Sequence, residues 1–153
     1  MTDAVSYSTK VQEKFIEQPE FLFWRGRILI YNGQTEVGKK HIKQALNVDP
    51  DSKKLQQYWK NLQKSERVKN EAAEAFKAGD IETAIKLYDE CFVFDPLNNA
   101  FNVTILYNKA CAFAKVAKND EALHVLGQAI TMNKEYVKVY LKRGDIYMQM
   151  EKF

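Results

Sequence analysis

The chain has 153 residues, 46% of them hydrophobic, with 6 Gly, 3 Pro and a net charge of +3. That is about one domain's length, apolar enough to fold and too poor in Gly and Pro to be mostly loops, so long helices are favoured. The longest apolar runs, such as Phe21 to Trp24, are far too short to span a bilayer, and nothing at the start reads as a secretory signal. The whole positive excess falls after residue 102. It is too small for a nucleic-acid binder that works through many phosphate contacts, and it suits a local cationic pocket for an acidic peptide.

Residues 1–18 read as part of a preceding helix, around Val11 to Glu17, with a frayed start. Residues 19–52 read as a helical hairpin. Leu22, Gly26 and Leu29 share one face of its first helix, and Gly38, Ile42 and Ala45 share one face of its second. Asn32 and Gly33 suit the turn between them, and Asp49-Pro50 ends the pair. Residues 53–64 contain no Gly or Pro and extend the next helix backward, predicting one long helix from about Ser52 to Ala78. That helix joins an N-terminal and a C-terminal part. Residues 65–98 form a second hairpin, with Val68, Ala72 and Ala75, then Ala84, Tyr88 and Cys91. Gly79 stops its first helix, Asp80 caps its second and Asp95-Pro96 closes it. Leu97 to Asn102 stretch the link to a third hairpin, 103–136, which carries Leu106, Ala110, Phe113, Ala122, Leu126 and Ala129 and turns at Lys118-Asn119-Asp120. A fourth start at 137–153 carries Tyr140, Gly144 and Tyr147.

Three small residues recur at separations of 12 and then 7: Gly26, Gly38, Ala45; Ala72, Ala84, Cys91; Ala110, Ala122, Ala129. Gly144 begins a fourth set. A small residue near the middle of each helix lets its partner approach closely, so the expected fold is an all-α solenoid of antiparallel helix pairs. Such arrays are usually binding surfaces rather than catalysts, and no Gly-rich phosphate loop, nucleophile elbow or zinc spacing is present in the sequence.

This plan resembles the tetratricopeptide repeat over residues 19–153. More narrowly, Lys69 to Pro96, Leu106 to Lys115 and Tyr136 to Tyr147 resemble the three repeats of co-chaperone tetratricopeptide domains. The upstream hairpin, the long helical join and the Asn-Asn link resemble DnaJ-type co-chaperones that carry tandem repeats before a J domain. No His-Pro-Asp triplet occurs and the sequence stops inside the fourth repeat, so a fragment is expected.

The resemblance implies a cytoplasmic adaptor with no catalytic activity and no cofactor or metal. Its groove would grip the acidic C-terminal tail of a 70-kDa or 90-kDa heat-shock chaperone in a two-carboxylate clamp, and client proteins are further partners. Carried over, the clamp residues fall on Lys69, Ala73, Asn108, Lys138 and Lys142. Lys69 and Ala73 are one turn apart, as are Lys138 and Lys142. Ala73 stands where the family has an Asn and donates no hydrogen bond, which costs about 1.5–3 kcal/mol against a charged acceptor. Lys142 keeps the charge of the family's Arg without its fork. Asn70 is a candidate substitute for the missing amide. The implied site is therefore a weakened clamp of Lys69, Asn108, Lys138 and Lys142. Against it stand a generic scaffold that uses the concave face without a clamp, which Ala73 favours, and a regulatory domain of an enzyme that continues past Phe153.

The remaining candidates read as structural. Cys91 and Cys111 fall on apolar stripes and are expected to be reduced core thiols rather than a disulfide or metal pair. His41 and His124 stand alone on helices. Trp24 is expected to pack on the neighbouring hairpin, Trp59 lies on the joining helix, Phe113 is core and Tyr107 is a candidate groove residue. Tyr140, Tyr147, Met148 and Phe153 lack a partner helix, which predicts fraying or self-association at this end.

Overall fold

Pro19 opens the first helix, where its missing N–H costs nothing, and Gly33 and Gly79 sit at φ values of 80° and 86° just past helix ends. The structure is a computed structural model and describes residues 18–151. The helix expected over Val11 to Glu17, and Phe153, lie outside the described residues. Seven helices lie among the described residues: α1 (Pro19–Tyr31), α2 (Thr35–Val48), α3 (Lys53–Ala78), α4 (Ile81–Cys91), α5 (Asn99–Lys115), α6 (Asn119–Met132) and α7 (Val137–Met150). No strand occurs among those residues. The fold is an all-α array of antiparallel helix pairs of the tetratricopeptide type. Its long helix, α3, runs 26 residues, close to the expected span.

The chain divides into two units, Met1–Lys60 and Asn61–Phe153, and α3 contributes to both. In the first unit α1 packs on α2 over Leu22, Phe23, Ile30, Ile42 and Ala45, all buried. Gly26 and Gly38 are buried where these helices meet. Asp49 leaves the helical region after α2 (φ −130°, ψ 79°), which the residue before a proline avoids.

The second unit has two adjoining clusters. Val68, Ala72, Ala84, Tyr88, Cys91 and Ile105 tie α3, α4 and α5 together. Val103, Leu106, Ala110, Ala122, Leu126, Ala129, Val139 and Ile146 tie α5 to α6 and α7. The small residues Ala72, Ala84, Cys91, Ala110, Ala122 and Ala129 are all fully enclosed. Gly144 differs: a Cβ added there would meet nothing within 4 Å.

Three local expectations change. The helix before Asp95-Pro96 ends early, at Cys91. Val93 and Phe94 instead donate to Glu90 and Cys91 carbonyls in a tight turn that lets Phe92 and Phe94 pack on the clusters. α5 begins at Asn99, inside the stretch expected to be a link. Asn98 caps it by accepting from Phe101 N–H at 3.1 Å, and the buried Asn102 amide donates to the Asp95 and Pro96 carbonyls. The turn before α6 reverses at Ala117, which holds a left-handed φ of 59°, rather than at Asn119. Ala117 and Lys118 N–H donate back to Ala114 and Phe113 carbonyls, closing the end of α5.

Candidate functional site

The candidate groove belongs to the second unit and is built on α5. Helical spacing puts Phe101, Thr104, Asn108, Cys111 and Lys115 on one stripe of this helix. The opposite face, with Val103, Leu106 and Ala110, is core. The stripe is half-buried until it reaches the exposed Lys115.

α3 faces this stripe. The Lys69 ammonium lies 5.6 Å from the Phe101 ring centroid. One helical stretch further on, Lys115 Nζ lies 4.6 Å from the Phe76 ring centroid and donates to the Phe76 carbonyl at 3.4 Å. The start of one segment meets the start of the other, and end meets end, so the two run side by side in the same direction. Ala73 lies midway between Lys69 and Phe76, and Asn108 midway between Phe101 and Lys115. A cation–ring contact of this kind is worth about 0.5–1 kcal/mol at exposed sites and holds each ammonium in a preferred place.

α7 supplies the other wall. Lys138, Lys142 and Asp145 follow at i, i+4 and i+7 and share a stripe beside the buried Val139 and Ile146. Lys142 is half-buried and Lys138 is exposed. Burial pushes the Cys111 thiol above its usual range. The Lys142 ammonium and a hydrogen bond with Tyr107 pull it back, and Asp145 pushes it up again. Burial likewise raises the Tyr107 phenol, with Cys111, Tyr136 and Asp145 adding to the shift. Lys142 and Asp145 therefore act on the same part of α5. Tyr107 also meets the Tyr136 ring edge-on at 6.1 Å, fixing α5 against the approach to α7.

Lys69, Asn108 and Lys142 are thus gathered about one stripe, while Lys138 is placed by helical register alone. Ala73, between Lys69 and Phe76 on α3, carries only a methyl group and donates no hydrogen bond. Among the described residues, Lys138 and Lys142 form no ion pair. Ammonium groups left without carboxylate partners beside a half-buried amide can bracket a terminal carboxylate through charge-assisted hydrogen bonds. The sequence does not single out Phe101, Lys115 or Asp145. The i+7 spacing of Asp145 from Lys138 was the available signal, and the cross-helix contacts of Phe101 and Lys115 left none.

Cys91 is buried, its thiol pushed up to about 11 by burial. Cys111 is corrected from a core thiol to a half-buried residue of the groove stripe. Both are free.

Trp24 is also corrected. It is 47% exposed, donates its indole N–H to Glu20 at 2.7 Å, and lies under Arg27 and Lys54. Arg27 hydrogen-bonds Tyr31 and lies 5.1–5.6 Å from the rings of Phe23, Trp24, Tyr31 and Tyr58. His41 donates to the Val37 carbonyl and His124 pairs with Gln128, each within its own helix. Phe113 is half-buried against the second cluster. Lys109 is paired with Asp89, so it is not available to a carboxylate ligand.

Residues 19–52 match the tetratricopeptide repeat. The chain is similar to DnaJ homolog subfamily C member 7 of Homo sapiens, 28% identical over 151 residues, which are 99% of this chain and 31% of the relative. The Mus musculus protein of that name is 30% identical over 132 residues, 86% of this chain and 27% of the relative. The DnaJ homolog subfamily C member 7 homolog of Schizosaccharomyces pombe is 27% identical over 134 residues, 88% of this chain and 28% of the relative. The chain spans less than a third of the length of these relatives. The chain thus carries one matched tetratricopeptide repeat and is similar along most of its length to part of these relatives. No helix among the described residues is long and apolar enough to cross a membrane.

Proposed function

We propose that the second unit is a co-chaperone adaptor module that binds the acidic C-terminal tail of a 70-kDa or 90-kDa heat-shock chaperone. The coarser role, a protein–protein interaction module, follows from the repeat itself. Lys69, Lys138 and Lys142 supply charge to the tail's terminal carboxylates and Asn108 supplies an amide. The clamp is weakened because Ala73 provides no donor. In the same proposal residues 19–52, 65–98 and 103–136 are three repeats, 53–64 is the helical join and 137–153 starts a fourth. The module is non-catalytic and works in the cytoplasm.

The observation that carries this reading is the gathering of Lys69 and Lys142 about the α5 stripe that holds Asn108. Lys69→Ala and Lys142→Ala are each expected to weaken binding of a Met-Glu-Glu-Val-Asp peptide about tenfold, the loss of one charge-assisted bond. Lys86→Ala is the control, because Lys86 is exposed on α4 and paired with Glu82. Equal affinity for all three variants and the parent chain would refute the clamp.

Ala73 favours a second reading, a scaffold that uses the concave face without a clamp. Its ligand would bind equally well with its C-terminal carboxylate free or amidated.

A further inference from the structure

We propose that Asp145 sets the sequence preference of the groove, favouring an acidic-tailed peptide that carries a basic residue one or two positions before its terminal carboxylate. The inference rests on the clamp reading above.

Asp145 is exposed and shares the groove-side stripe of α7 with Lys138 and Lys142, one turn beyond Lys142. Its charge reaches Tyr107 and Cys111, and Lys142 acts on Cys111 as well. Among the described residues it forms no ion pair. Every other charged group that the site combines here, Lys69, Lys115, Lys138 and Lys142, is positive. A lone carboxylate on such a wall opposes a ligand that is acidic along its whole length.

Helix geometry sets the distance. Three residues of α-helix advance about 4.5 Å along the axis. An extended peptide advances about 3.3 Å per residue. With the terminal carboxylate held near Lys142, Asp145 lies level with the residue one or two places upstream. A Glu there meets like charge, whereas a Lys or Arg there pairs. This is discrimination by repulsion as much as by attraction.

The test is a double-mutant cycle by calorimetry at low salt. Three peptides with free C-termini are titrated into the full chain and into Asp145→Asn: Met-Glu-Glu-Val-Asp, Met-Glu-Lys-Val-Asp and Met-Glu-Glu-Lys-Asp. The substituted residue is exposed and α7 is anchored by Val139 and Ile146, so the variant retains the fold. For at least one Lys peptide, affinity relative to the all-acidic peptide is expected to be about fivefold higher on the parent chain than on Asp145→Asn, the size of an exposed ion pair. That shift is expected to shrink in ~1 M salt. An unchanged ratio for both Lys peptides, with the all-acidic peptide still binding, overturns the role of Asp145 and leaves the clamp standing. No binding by any peptide overturns both.

Discussion

Gly26 and Gly38 stand against each other across the α1–α2 contact. A Cβ on Gly38 would come 2.5 Å from the Gly26 carbonyl oxygen, and one on Gly26 would come 2.8 Å from the Gly38 carbonyl oxygen. These are backbone atoms, which cannot move aside as a flexible side-chain end can. Gly38→Ala is therefore expected to destabilise the first unit by about 1–3 kcal/mol, although alanine is the better helix former. Gly144→Ala makes the same chemical change in open space on α7 and is expected to stabilise by up to about 1 kcal/mol. Urea unfolding of the two variants checks this. Destabilisation of equal size in both would mean that close approach is not what the glycine at 38 is for.

Ala73→Asn is expected to strengthen tail binding about tenfold. The new amide would stand between Lys69 and Phe76 and opposite Asn108. Calorimetry with a Met-Glu-Glu-Val-Asp peptide measures it. An unchanged affinity would mean that the missing donor is already replaced, with Asn70 the first residue to vary next.

Acid is expected to loosen the start of α4. Hydrogen bonds from Thr83, from its side chain and then its backbone N–H, hold the Asp80 carboxyl below its usual range. The folded-state value thus lies below the unfolded one. The stabilisation is complete above the ordinary carboxylate range and is lost as the pH falls through the folded value. Asp80→Asn keeps an oxygen acceptor and is expected to flatten this dependence, while Asp80→Ala removes the cap at every pH. Urea midpoints between about pH 6 and about pH 3 follow it. An acid dependence of the same steepness in Asp80→Asn would rule Asp80 out as its source.

The face of α7 away from the groove carries Tyr140, Leu141, Tyr147 and Met148, all exposed. Apolar side chains in one patch favour association. Sedimentation equilibrium is expected to show reversible self-association of the chain that Leu141→Glu with Met148→Glu abolishes. A monomer at every concentration tested would contradict it.

Much of the fold is legible because tight helix contacts leave a mark on residue type. The alanines at 72, 84, 110, 122 and 129 are small because another helix is there, and their spacing announces it. The ends of elements are less legible. Asp95-Pro96 marks a place where a helix is forbidden, but α4 stops earlier, because Phe92 and Phe94 gain more by packing than by continuing the helix. Ala117 adopts a left-handed φ that alanine does not advertise. The site divides in the same way. Lys69, Ala73, Asn108, Lys138 and Lys142 are visible through resemblance and one-turn spacings. The Lys69–Phe101 and Phe76–Lys115 contacts join residues far apart in the chain, and no local pattern foretells them. Trp24 is expected to pack on the neighbouring hairpin, whereas cation–ring contacts with Arg27 and Lys54 hold it at the surface.

The most direct test of the clamp is calorimetric titration of the chain with a Met-Glu-Glu-Val-Asp peptide beside the same peptide amidated at its C-terminus. The clamp predicts micromolar binding of the free acid that disappears on amidation and weakens about tenfold in Lys138→Ala. Equal binding of acid and amide, or no binding of either, would contradict it.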